Sequence, residues 1–125
     1  MRQKIVGTYD LGGESVQLAL REGDGGDWDS RTPEGRMPLL RVGDDGSDSW
    51  PGVVGVLLHE AEELVSARMG LRFRPSPDFA GDNGSYTFLM THTQYSELTA
   101  RVGLFMAACL PDLARAWGQW RKGKK

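Results

Sequence analysis

Residues 50–69 read Trp50-Pro51-Gly52-Val53-Val54-Gly55-Val56-Leu57-Leu58-His59-Glu60-Ala61-Glu62-Glu63-Leu64-Val65-Ser66-Ala67-Arg68-Met69. Trp50, Val53, Val54, Leu57, Leu58, Ala61, Leu64 and Val65 recur at i, i+3 and i+4, which predicts an amphipathic helix with one apolar stripe. Ser49 is a good cap, Pro51 suits the first helical turn, and Gly70 is a natural stop. The same helix carries His59 and Glu63 four residues apart, one above the other on a shared face, with Glu60 turned about 100° from His59. On an ideal wheel His59 and Glu63 fall opposite the middle of the apolar stripe. A solvated polar face has that pattern, and so does a helix held between a sheet and a second helix.

Upstream, Ile5 to Leu11 and Val16 to Leu20 read as two strands joined at Gly12-Gly13, with Val16, Leu18 and Leu20 sharing the buried face. Glu22 to Gly35 is rich in glycine and acidic residues around a lone Trp28 and reads as a surface loop. Its aspartates Asp24, Asp27 and Asp29 lack the ligand spacing of a calcium loop. Met37 to Val42 is a third strand, with Pro38 at its start or on a sheet edge. A polar loop from Gly43 to Ser49 then leads into the helix.

Downstream, Leu71 to Pro77 is an extended passage and Asp78 to Ser85 a polar loop with a turn at Asp82-Asn83-Gly84. Tyr86 to Met90 is a short strand. Tyr95, Leu98, Val102, Phe105, Met106 and Cys109 then repeat at helical spacing, which predicts a second helix capped near Thr93 and broken at Pro111. A short last helix holds Leu113, Ala114, Trp117 and Trp120. The expectation is an α+β fold: a small, mainly antiparallel sheet packed by two principal helices plus a short C-terminal one.

With 125 residues the chain has the length of one domain, and a fold of this size buries roughly two-thirds of its unfolded surface. Residues 1–121 are expected to form that domain and 122–125 a basic, disordered tail. The net charge of −2, with basic residues scattered outside the tail, points to neither nucleic acid nor an anionic membrane as partner. No secretory signal is visible, and the longest nearly apolar run, Val53 to Leu58, is too short to span a bilayer. A single cysteine, Cys109, excludes a disulfide within the chain and fits a reducing, cytoplasmic setting.

A catalytic zinc site takes three protein ligands and one open position, with a base beside it. The chain has two histidines, so candidates are few. His59 and Glu63 supply two ligands from one helical face. His92, between a strand and a helix, is the natural third, with Glu97 as the alternative and Glu60 as the base. Tyr95, Thr91 or Arg101 could orient a substrate carbonyl.

The run His59-Glu60-x-x-Glu63 followed by a strand and His92 resembles a small zincin-type metallopeptidase domain over roughly residues 50 to 106. His59 and Glu60 match the H-E-x-x-H zinc helix as they stand. Glu63 departs from it, since that family places a second histidine there, although carboxylate is also a zinc ligand. The resemblance implies a bound Zn2+ and a metal-activated water that hydrolyses peptide or amide bonds, with a peptide or protein as substrate. The competing expectation is a non-catalytic protein-binding module, such as a phage or mobile-element inhibitor or adaptor, with no metal and an exposed apolar or aromatic patch around Trp117 and Trp120.

Overall fold

A computed structural model of the chain describes residues 2–31, 34–44, 49–73 and 87–123. The elements are β1 (Gln3–Leu11), β2 (Glu14–Arg21), β3 (Gly26–Asp29), β4 (Leu39–Gly43), α1 (Trp50–Arg68), β5 (Arg72–Phe73), β6 (Thr87–Phe88) and α2 (His92–Lys122). The α+β expectation holds: a four-stranded, mainly antiparallel sheet is covered on one face by two helices, and β5 and β6 form a separate two-stranded ladder. The turn expected at Asp82-Asn83-Gly84 lies outside the described residues.

The sheet order is β1-β2-β4-β3. β1 and β2 are an antiparallel hairpin, β4 runs parallel to β2, and β3 closes the far edge antiparallel to β4. β4 therefore lies between two strands that follow each other in sequence. Val16, Leu18, Leu20, Leu40 and Val42 turn one face inward and are fully buried, as the alternation in β2 predicts. Pro38 stands just before β4, where its missing N–H costs the ladder nothing, and its carbonyl accepts from the Gln17 amide at 2.9 Å.

Four expectations are corrected. The surface loop from Glu22 to Gly35 contains β3, which exists because Trp28 pairs opposite Leu40 and packs against the core. Asp27 on that strand is held by Arg21 at 3.0 Å and Arg41 at 2.5 Å, so an acidic residue does not exclude the segment from a sheet. The second helix is capped by Thr91 instead of Thr93, with Thr91 and Gln94 forming a reciprocal capping box.

Nor does Pro111 break that helix. α2 is one helix of 31 residues, and its buried residues Leu98, Val102, Phe105, Met106, Cys109, Leu113, Ala116 and Trp120 run through Pro111 without a change of face. Pro111 cannot donate to the carbonyl of Ala107, but both residues are exposed, so water can satisfy that carbonyl. Lys122 belongs to this helix and Gly123 caps it, which carries α2 into the stretch expected as tail.

α1 lies over β3 and β4, α2 lies over β1, and the helices meet between them. Tyr9 of β1 donates to Asp112 at 2.7 Å and sets its ring edge-on to Phe105. At the end of α2 the Trp120 indole donates to buried Asp44 at 2.7 Å, and the other Asp44 oxygen accepts from the Gly23 amide at 3.0 Å. Asp44 thus ties the last turn of α2 to the connection between β2 and β3.

That connection folds over Gly43, where an added Cβ would lie 2.4 Å from the Gly23 carbonyl oxygen and 2.6 Å from that of Gly25. Both obstacles are backbone, so neither can swing away. Gly43→Ala is expected to destabilise the fold by about 1–3 kcal/mol, the usual cost of overpacking. Urea unfolding measures it, and an unchanged midpoint would contradict the tight seating of this loop.

Candidate metal centre

α1 begins at Ser49, whose side chain accepts from the Gly52 amide at 3.4 Å, and carries Val53, Leu57, Ala61, Leu64 and Val65 into the core. Glu60 belongs to the same buried face and is only 7% exposed. The spacing shows why: Glu60 stands three residues after Leu57 and four before Leu64, on the flank of the apolar stripe. What lets a carboxylate side chain fit there is Gly26 of β3. A Cβ on that residue would lie 2.7 Å from Val56 Cγ1 and 3.0 Å from Glu60 Cγ.

His59, Glu60 and Glu63 form a converging group: each offers one ligand atom, and these atoms all lie within 4.8 Å of one another. His59 Nε2 and Glu63 Oε1 are 3.6 Å apart. Two donors on one tetrahedral zinc ion, each at about 2.0–2.1 Å, are separated by roughly 3.3 Å, so this pair is close to ligating distance as it stands. Imidazole and carboxylate are donors that zinc accepts. The donor set of the three residues is one that could hold a divalent ion, and of the three pairs His59–Glu63 stands near ligating separation.

The group sits on a crest between two clefts. On one side an apolar groove of about 470 Å³ runs between α1 and α2, lined by Leu58, Glu63, Phe88, Tyr95, Leu98 and Val102 among others. On the other side Glu60 faces a more open cleft floored by Gly25, Gly26, Gly52 and Gly55. His59 lines both, and its side chain is 67% exposed. Glu63 lines the groove toward the second helix, whereas His59 stands between that groove and the cleft beside β3.

The other candidates fall elsewhere. His92, expected as third ligand, is the first residue of α2, exposed beside the cap Thr91, and does not join the converging group among the described residues. Glu97 is paired with Arg101 on the same helix. Thr91 is occupied in the capping box, whereas Tyr95 does line the groove beside His59 and Glu63. The converging group therefore comes from one helix, and no residue of α2 joins it among the described residues.

Burial raises the Glu60 pKa above the ordinary 4.5, and the negative charge of Glu63 raises it further, against a smaller opposing effect of His59. No protein family model, curated protein or solved structure matches the chain. The link to zincins accordingly rests on the His-Glu-x-x-Glu cluster alone.

A carboxyl group whose pKa is raised on folding favours the fold in its neutral form. Its contribution is complete below the unfolded value of about 4.5 and is lost as pH rises through the folded value. In metal-free protein, Glu60→Gln should therefore gain stability over wild type as pH increases from about 4.5 to neutrality. Urea unfolding with a chelator present measures the difference. A gap that widens toward acid would contradict the desolvation of Glu60.

Proposed function

We propose that this protein is a zincin-like metal-binding domain and a metal-dependent hydrolase of peptide or amide bonds, with His59 and Glu63 as ligands of Zn2+ and Glu60 as the base. The observation that carries the proposal is the convergence of three donor atoms within 4.8 Å on α1, with His59 and Glu63 lining an apolar groove and Glu60 lining the cleft on the other side. A divalent ion held there would supply a Lewis acid that activates water and stabilises negative charge on a carbonyl oxygen.

The protein's own residues have distinct parts in this scheme. His59 and Glu63, on the exposed crest of α1, are the residues that would hold the ion. Glu60 takes the proton of the attacking water as the bond to the carbonyl carbon forms, and returns it to the leaving amine as the amide bond breaks. Tyr95, on the groove wall, is placed to contact the substrate chain.

The competing reading, a protein-binding module without catalysis, draws support from the exposed apolar residues Leu58, Phe88 and Tyr95 along the groove. It loses support at its expected patch: Trp120 is buried against Asp44, and Trp117 packs at a tilt against Trp50 with ring centroids 5.8 Å apart.

The two readings separate on a quenched-fluorescence peptide library assayed with Zn2+. The hydrolase reading expects cleavage that a chelator abolishes, and Glu60→Gln to lower the rate by about 10²–10⁴-fold while zinc binding persists. Cleavage unchanged in Glu60→Gln would contradict the role of Glu60, and no cleavage of any peptide by zinc-loaded protein would favour the binding module.

A further inference from the structure

From Val102 to Pro111, α2 has no polar side chain on any face: the run is Val102-Gly103-Leu104-Phe105-Met106-Ala107-Ala108-Cys109-Leu110-Pro111. Val102, Phe105, Met106 and Cys109 take the inner side and pack in the core. On the outer side Leu104, Ala107, Ala108 and Pro111 are exposed, and the apolar stripe continues through exposed Ala100 and Ala114. Leu104 is 75% exposed, more than any other large apolar residue among those described. A helix covered on one side only carries polar residues on the other, whereas one that is apolar all round is covered on both.

The charges that flank this stripe indicate what covers it. Glu97 stands nine residues before Met106 and Arg115 nine residues after it. Their separation is about five turns of helix, so both lie on the same flank of the stripe. When a copy of α2 is laid antiparallel across the stripe with the two Met106 residues level, each flank meets itself, and Glu97 of either copy faces Arg115 of the other. Each of these charges is already paired along its own helix, Glu97 with Arg101 and Arg115 with Asp112. The antiparallel copy joins those exposed pairs into clusters of alternating sign and leaves no charge without a partner. A parallel copy would set Glu97 on Glu97 and Arg115 on Arg115, which is repulsive.

We propose that the outer face of α2 binds the same face of a second copy of this chain, with the two helices antiparallel and centred at the level of Met106. Leu104 of each copy would lie over Ala107 and Ala108 of the other, whose small side chains let the helices come close. The stripe is then its own complement in shape and in charge, as a twofold contact requires. This association is separate from the metal centre on α1 and holds whether or not the chain is a hydrolase.

The test is sedimentation equilibrium of the full chain from about 1 to 300 μM, the range in which a contact of one helix pair is expected to dissociate. The proposal expects a monomer that becomes a dimer as concentration rises. Leu104→Glu should stay monomeric throughout with an unchanged urea midpoint, since the residue it alters faces water in the monomer. Glu97→Arg and Arg115→Glu should each weaken self-association by at least about fivefold, because each sets like charges opposite one another at both ends of the contact. An equal mixture of these two variants should recover at least the wild-type affinity, since every facing pair in the mixed dimer is again of opposite sign.

A wild-type chain that is monomeric at every concentration would overturn the proposal and leave this face to an unlike protein. A dimer that survives Leu104→Glu would overturn it as well, because the copies would then meet elsewhere. So would a mixture of Glu97→Arg and Arg115→Glu that associates no better than either variant alone, since the facing charges would not be those of an antiparallel pair.

Discussion

The closeness of α1 to β3 at Gly26 is the constraint on which the functional part of the molecule depends. There the helix lies so near the strand that a single Cβ would collide with Val56 and the stem of Glu60. That contact brings a carboxylate side chain into the protein on the flank of an otherwise apolar stripe, and it sets the rotation of α1 about its own axis. With Glu60 turned toward the glycine-lined cleft, His59 rises on the crest and Glu63 faces the groove next to α2. A helix rolled by one residue would bury His59 and expose Leu57.

The sheet supplies that contact by an indirect route. β3 is short and acidic, and it persists as an edge strand because Trp28 reaches the core while Arg21 and Arg41 neutralise Asp27. The connection before it is pinned over Gly43 and fastened to Asp44, which also receives the indole of Trp120. The far end of α2 and the strand beneath Glu60 are thus joined through one buried carboxylate. Both hydrogen bonds converge on one buried carboxylate, so this joint couples the seating of α2 to the loop that positions β3.

Much of the fold was legible in the sequence where periodicity was strong. The hairpin of β1 and β2, the cap and extent of α1, and the apolar stripe of α2 follow from spacing and turn residues. β3 was not legible, because its strand character lies in one tryptophan and in salt bridges from residues on neighbouring strands. Pro111 misled for a related reason. A proline weakens a helix interior by its missing N–H and by crowding the carbonyl four residues back, and only the run from Cys109 to Leu113, Ala116 and Trp120 indicated that packing carries the helix through it on the exposed side. At the site, His59 and Glu63 could be paired by spacing. The convergence of Glu60 required Gly26, which is distant in sequence, and the place of His92 depended on a cap set at Thr91.

The most direct test of this account is the zinc bound by untagged protein after equilibration with Zn2+ and removal of free metal, measured by elemental analysis for wild type and for His59→Ala, Glu63→Ala and His92→Ala. The account predicts about one zinc per chain in wild type and in His92→Ala, and its loss in the other two. Wild-type protein without zinc, or zinc that survives in Glu63→Ala and disappears in His92→Ala, would contradict it.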